Sequence, residues 1–342
     1  MTDGQGAVYL KEEPIPQPGP GEILIKVRCS LISPGTELGG VVARRKNPDA
    51  NFAPRPFGYQ NAGDILALGP DCAERFRVGQ RVACMGNAYA LHATHARVPQ
   101  NLCFPIDDAL SYEEAAFNHL AATALQALRR AEPLLGENLL VMGLGLVGQL
   151  AAQLGRINGC HVTGADTANG RLTTARNLGI DLALNPREPG FTENVLDFTR
   201  GYGMDAGFIC FGGDATGALE QIISVMKKAP DTHQMGRVVI VGGATIHQRF
   251  PTPLGNVDIR ASCRTGPGYH DKGWERGGDY PPVIVPWTTR RNVETVLRLI
   301  AEARLQVAPL ITHRFHLDQA SEACEELISK PDQALGVILR TD

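Results

Sequence analysis

The chain has no Cys-x-x-Cys anywhere: its eight cysteines, at 29, 72, 84, 103, 160, 210, 263 and 324, stand 12 to 61 residues apart. That spacing excludes a zinc lobe or a thioredoxin-type redox site, and in a reducing compartment the thiols read as small buried hydrophobes. Basic residues never gather beyond Arg44-Arg45-Lys46, and 33 basic against 36 acidic side chains leave a net charge of −3. The electrostatic footprint of a nucleic-acid binder is therefore missing. The most apolar stretch, Leu139–Leu150, is too short to cross a bilayer and carries four glycine or polar positions. The first residues, Met-Thr-Asp-Gly-Gln-Gly, lack the basic and apolar blocks of a secretory signal, so the expected compartment is the cytoplasm and no membrane partner is expected.

What is present is enough chain for a large core: 342 residues suggest two domains. Glycine and proline together, 38 and 23 residues, stay below the roughly 25 to 30 % that marks low complexity. Glycine alone exceeds its usual share, which asks for many tight turns or close backbone approaches. Up to about residue 110 the chain runs in short apolar stretches broken by Pro and Gly, namely Glu22–Cys29, Ala62–Leu68, Gln80–Met85, Tyr89–Val98 and Leu102–Ile106. These predict a compact β module. Ser111-Tyr-Glu-Glu114 matches a capping box, and the spacing of apolar residues predicts one long helix over Ala115–Arg130.

Alternating elements follow. Strands are expected over 138–143, 161–166, 182–184, 205–211, 237–242 and 257–262, with helices over 146–157, 171–178, 192–199 and 215–228. Alternation of this kind implies an α/β domain with a doubly wound parallel sheet. A helix over 292–302, a strand over 311–315 and a helix over 318–329 end the chain. No repeat of 20 to 50 residues is visible, which argues against a solenoid.

The sharpest motif is Gly143-Leu-Gly145-Leu146-Val147-Gly148, running directly out of a strand and into a helix. The first glycine allows the turn, the second lets a pyrophosphate approach the backbone, the third lets helix and strand pack closely, and the helix N-terminus faces the phosphates. The next strand ends in Asp166, 21 residues beyond Gly145, where a carboxylate accepts from a ribose diol and repels a 2′-phosphate; this predicts NAD as the cofactor. Arg171, five residues on, would soften that repulsion. Gly212-Gly213 and Gly242-Gly243 end later strands at the edge over which a dinucleotide lies, although ordinary strand-to-helix turns use the same residues.

Taken together, Pro18–Glu22, Gly35-Thr-Glu37, Gly58–Gly63, Val78–Val82, Ser111–Ala116, the glycine motif and Leu310–Phe315 resemble the medium-chain dehydrogenase/reductase family over nearly the whole chain. The resemblance implies a Rossmann domain over 121–265 and a GroES-like β-rich catalytic domain assembled from 1–120 and 266–342. The zinc alcohol dehydrogenases of that family place metal ligands where this sequence has Pro34, Tyr59 with Gln60, and His119. One ligand candidate out of three implies no metal, since catalytic zinc needs three protein groups and an open position. Ser33–Glu37 and Gly58–Gln60, with Asp279-Tyr-Pro and Trp287–Asn292, are similar to a zinc-lacking branch of sugar and glycoside dehydrogenases, D-guloside 3-dehydrogenase among them, and of bacteriochlorophyllide dehydrogenase.

Without metal, a positioned base must take the hydroxyl proton as hydride leaves, and His119 is the side chain at the matched positions with a suitable ordinary pKa. Tyr59 would bond the reacting oxygen, Thr36 matches the relay hydroxyl of the zinc enzymes, Glu37 would orient it, and Thr123 would touch the nicotinamide. Each also has a plain structural reading, as a core tyrosine, a helix histidine, a packed threonine or a surface carboxylate. His92 and His95 are expected in a strand, on opposite faces, where they cannot chelate one ion. The long connection Arg264–Trp287 offers Tyr269, His270, Trp274, Tyr280 and Trp287 as aromatic faces for a sugar ring, with Gln60 as a further substrate contact; a subunit-contact insertion is the plainer alternative. The expected function is thus NAD-dependent, zinc-independent oxidation of a secondary hydroxyl on a sugar, glycoside or cyclitol. A zinc-free enoyl or quinone reductase and a non-catalytic cofactor-binding protein are the alternatives. The partner expected is a small hydroxylated substrate, with a homodimer formed through the strand near Val257–Ser262.

Overall fold

The computed structural model describes residues 1–249 and 254–341. In chain order the elements begin with β1 (Glu22–Leu31), α1 (Thr36–Lys46), β2 (Gln60–Leu68), β3 (Arg81–Met85), β4 (His95–Pro99) and β5 (Cys103–Pro105), then α2 (Tyr112–Ala115) and α3 (Asn118–Ala131). They continue with β6 (Asn138–Met142), α4 (Leu146–Ile157), β7 (His161–Ala165), α5 (Asn169–Asn177), β8 (Leu182–Leu184), α6 (Phe191–Phe198), β9 (Ala206–Ile209), β10 (Gly213–Asp214) and α7 (Thr216–Ser224). The remainder is β11 (Met235–Val241), β12 (Ala244–Thr245), β13 (Asn256–Ser262), α8 (Lys272–Glu275), α9 (Thr289–Ala301), β14 (Ile311–His316), α10 (Ala320–Ser329) and β15 (Gly336–Arg340). The chain divides into two compact units, one joining Met1–Ala122 to the segment from Thr265 onward, the other Thr123–Arg264.

In the first unit, among the described residues, β14-β15-β1-β2-β3-β5 lie side by side and β4 also pairs with β1, making seven strands. β1 pairs with β15, β2 and β4 and is buried along almost its whole length, with only Lys26 exposed and Arg28 half-buried. The core beside it packs Ile32, Leu38 and Val41 against Leu317, Ala323, Leu327 and Val337. α9 buries Val293, Val296, Leu297 and Ile300, a single apolar stripe at helical spacing.

The second unit holds six parallel strands in the order β13-β11-β9-β6-β7-β8, the doubly wound arrangement expected from the alternation of elements. Its core packs Leu140, Met142 and Ile209 of the sheet against Leu219, Ile222 and Ile223 of α7. Among the described residues of the unit β13 pairs only with β11, leaving its other side as a sheet edge.

Several local expectations need correcting. Gly35 precedes α1, Gly39 and Gly40 lie within it, and only Leu38 and Val41 of it are buried, so its helical period is invisible in sequence. The long helix expected over Ala115–Arg130 is two helices, because Ala116 closes α2 and a fresh start at Asn118 opens α3. The capping box at Ser111 does form, with the Glu114 N–H donating to Ser111 Oγ at 3.2 Å. The strand expected over Tyr89–Val98 is a turn followed by β4, so His92 is not in a strand at all. The connection Arg264–Trp287 contains α8, capped by Asp271, whose carboxylate accepts from Gly273 N–H at 2.9 Å. The cysteines are all free, yet Cys263 is exposed and Cys72 and Cys210 are half-buried. Among the described residues no helix is long and apolar enough to cross a membrane.

Candidate active site

In the second unit β6 delivers the chain into the glycine turn. Gly143 has φ +89°, a left-handed conformation that favours glycine. A Cβ at Gly148 would lie 1.8 Å from the Gly143 carbonyl oxygen, so α4 can sit this close to the turn only with glycine there. A Cβ at Gly145, by contrast, meets nothing within 4 Å. Gly145 is the N-cap of α4 and has no side chain to take the free N–H groups of the first turn at Leu146 and Val147. Asp166 is buried and anchored to the same turn, its Oδ2 accepting from Leu144 N–H at 2.7 Å and Oδ1 from Ala168 N–H at 2.8 Å. Arg171 Nη1 lies 3.6 Å from that Oδ2. Gly212-Gly213 and Gly242-Gly243 come together: β10 pairs with β12, Gly213 and Gly242 have φ +88° and +91°, and a Cβ on Gly212 would stand 3.2 Å from Gly243 O. Thr123 is a half-buried residue of α3. An open backbone cradle, free helix N–H groups and a fixed carboxylate fit a nicotinamide dinucleotide.

In the first unit a second cluster assembles from four chain segments. Tyr59 precedes β2 and its hydroxyl is hydrogen-bonded to the hydroxyls of Ser33 and Thr36, from the turn that opens α1. The His119 ring, at the start of α3, lies 4.4 Å from the Tyr59 ring and meets the edge of Tyr269 at 5.8 Å. Tyr269 stacks on His270 at 3.9 Å and its hydroxyl accepts from Asn87 N–H at 2.7 Å. His270 is exposed and held at φ +76°, while its main-chain N–H donates to the buried Glu275 at 2.8 Å. Glu37 Oε2 accepts from Ser33 N–H at 2.7 Å, and the carboxylate lies against His92, whose Nδ1 is 2.7 Å from Ser30 Oγ.

Two expected substrate contacts are corrected. Gln60 is completely buried and both ends of its amide are used on main chain, Nε2 donating to Leu31 O at 3.2 Å and Oε1 accepting from Leu120 N–H at 3.3 Å. It fixes the start of α3 under Tyr59 rather than offering itself to a ligand. Trp274 is buried beneath Gly268, where a Cβ would strike its ring at 2.5 Å, so it supports the loop and presents no open face. Tyr280 is tied to Asp271 at 2.6 Å. Ser33, Ser30 and His92 join the cluster as well; Ser33 lies inside the Ser33–Glu37 motif, whereas the pairing of His92 with Glu37, 55 residues away, carries no spacing signal.

Burial sets the protonation of the cluster. It pushes Tyr59 up, with the Glu37 charge acting the same way, so the phenol stays neutral. It pushes His119 down to about 4, aided by His270 and opposed by the hydrogen bond His119 donates to the Tyr59 carbonyl. Between the ordinary histidine value and about 4 the unfolded chain binds more protons than the folded one, so His119 makes stability fall as pH drops through that window and adds nothing above it. The full loss is about 3 kcal/mol. Thermal melts at pH 7 and pH 4 should therefore show a smaller acid-induced drop for His119→Gln than for the wild type; equal drops would assign the acid sensitivity elsewhere.

The donor set does not fit a catalytic zinc. Among the described residues no three His, Cys, Asp or Glu side chains converge, and His119 is flanked by two tyrosine rings instead of thiolates or carboxylates.

Residues 147–272 match the family model for zinc-binding dehydrogenases. The L-threonine 3-dehydrogenase of Pyrococcus horikoshii is 28% identical, over 94% of this chain and 92% of that protein. The mouse sorbitol dehydrogenase is 24% identical, over 100% of this chain and 95% of that protein. In fold the chain matches the crystal structure of an alcohol dehydrogenase superfamily protein from Novosphingobium aromaticivorans with TM-score 0.80 and 21% identity, covering 100% of this chain and 98% of that one. These similarities agree with the resemblance to the medium-chain dehydrogenase/reductase superfamily. The curated relatives the chain matches are named dehydrogenases.

Proposed function

We propose that the protein is an NAD(H)-dependent dehydrogenase that oxidises a secondary hydroxyl of a sugar, glycoside or cyclitol without zinc. The observation that carries this is the hydroxyl and imidazole cluster of Ser33, Thr36, Tyr59 and His119, standing where the resembling zinc enzymes hold their metal. Relatives named for threonine and sorbitol oxidation support the alcohol class. Bound at the glycine turn, a nicotinamide dinucleotide supplies the hydride acceptor. The Asp166 carboxylate favours a free ribose diol over a 2′-phosphate there, although Arg171 at 3.6 Å weakens the discrimination.

In this reading Tyr59 and His119 hold the reacting oxygen. The proton leaves through the Tyr59 hydroxyl, which passes its own proton to Ser33 or Thr36; Thr36 is exposed and opens the path to water. In the reverse direction the neutral Tyr59 donates to the carbonyl oxygen. Burial gives His119 the part of a neutral hydrogen-bonding ring, since taking a full proton opposes its environment. The exposed His270, backed by the buried Tyr269 ring, offers an aromatic face for the apolar side of a sugar ring.

The test is a screen of NAD⁺ and NADP⁺ reduction across polyols, glycosides and inositols, repeated after chelation. Chelator-resistant reduction of NAD⁺ in preference to NADP⁺ is expected. Activity lost to chelator and restored by zinc, or equal use of NADP⁺, would each sink the corresponding part. The free edge of β13 is proposed to pair with its copy in a homodimer, so sedimentation at micromolar concentration should give twice the mass of the 342-residue chain, and a monomer would reject the pairing.

A further inference from the structure

We infer that His92 and Ser30 are positioning residues of the same centre: they hold the Glu37 carboxylate under the turn Ser33–Thr36 and thereby keep both of its hydroxyls on Tyr59. The inference rests on reading that centre as the site of hydroxyl oxidation.

The His92 side chain is 2% exposed and that of Glu37 6%, so both polar groups have left water and need partners. Both ring nitrogens of His92 are engaged, Nδ1 with Ser30 Oγ at 2.7 Å and Nε2 with Glu37 Oε2 at 3.4 Å. That same oxygen accepts from Ser33 N–H at 2.7 Å, which fixes the first residue of the turn. The other oxygen, Oε1, lies 3.3 Å from His92 Nε2 and accepts no hydrogen bond among the described residues. A buried carboxylate with an unused oxygen is an expensive way to anchor a turn that an aliphatic contact would anchor more cheaply. What an aliphatic side chain cannot provide is a negative charge facing the Tyr59 phenol, and Glu37 does act on Tyr59 in this way.

The backbone locks the same pieces together. His92 N–H donates to Phe57 O at 2.9 Å, and the Phe57 ring packs on the imidazole at 5.1 Å. Gly58, between Phe57 and Tyr59, has φ +118°, and a Cβ there would lie 2.3 Å from His92 N. The segment carrying Tyr59 and the segment carrying His92 are thus in direct main-chain contact, and a shift of the imidazole is transmitted to both the phenol and the turn that bonds it.

The experiment compares full-length wild type, His92→Gln and His92→Asn for NAD⁺ reduction with D-sorbitol, myo-inositol and methyl glucoside. The glutamine amide reaches the place of Nε2 and keeps the Glu37 contact; the asparagine amide reaches only that of Nδ1. His92→Asn should lower kcat about ten- to hundredfold, while the KM for NAD⁺ changes about twofold or less. His92→Gln should recover most of that loss. A purely structural histidine would instead lower the melting temperature of both variants and leave kcat per folded molecule alone. Any order of kcat other than wild type, then glutamine, then asparagine overturns the inference. If the wild type reduces NAD⁺ with none of the three compounds nor with any member of the wider screen, the functional reading falls and this inference with it, whereas a wild type that turns over beside unaffected variants sinks the inference alone.

Discussion

Tyr59→Phe is expected to lower turnover about 10²- to 10⁴-fold, the range found when a positioned acid-base group is removed. The ring stays, and with it the packing on His119 at 4.4 Å, so the fold of the first unit should be retained. What goes is the hydroxyl through which the proposed relay runs from the reacting oxygen to Ser33 and Thr36. NADH binding, which we assign to the glycine turn of the other unit, should stay near the wild-type value, and the loss should fall on kcat rather than on KM for the cofactor. His119→Gln should cost less, roughly tenfold, because an imidazole pushed down to about 4 contributes a hydrogen bond and not a full base. The comparison is decisive in both directions. A phenylalanine variant with near wild-type turnover would remove Tyr59 from the chemistry, and a histidine variant losing more than the tyrosine variant would return the proton to His119.

Gly148→Ala should be the most damaging single methyl in the molecule. Its Cβ would sit 1.8 Å from the Gly143 carbonyl oxygen and 2.8 Å from the carbonyl carbon. Both are backbone atoms, so no side-chain rotation relieves the clash, and α4 must lift away from β6. We expect a loss of about 3 kcal/mol or more in stability, at the upper end of overpacking effects, together with loss of NADH binding, because the helix end that meets the phosphates moves. Gly145→Ala separates the two effects. Its φ of −65° suits any residue and its Cβ meets nothing within 4 Å, so the melting temperature should hold while NADH binding weakens. If Gly145→Ala binds NADH as tightly as wild type, the dinucleotide does not approach the backbone at that turn.

The second unit was legible because its signals are local. Strand, glycine turn, helix and acid follow one another within about thirty residues, and at Gly143 and Gly148 the backbone itself demands glycine, through a left-handed φ and a closed space. The first unit was legible in its β texture and in which residues match the metal positions of the resembling zinc enzymes, but not in what surrounds them. α1 escaped because helix-weakening glycines hide a short buried stripe, and the break between α2 and α3 because apolar residues continue through it.

Chemistry followed the same division. That Tyr59, Thr36 and His119 belong together was readable from their positions along the chain. That Gln60 and Trp274 are consumed by packing, that Ser33 shares the Tyr59 hydroxyl, and that His92 reaches Glu37 were decided only when distant segments closed on one another. The reason is physical: backbone conformation is written locally, through sterics and period, whereas the burial that lowers the basicity of His119 and keeps Tyr59 neutral is set by neighbours that the chain brings in from as far away as Tyr269 and His270.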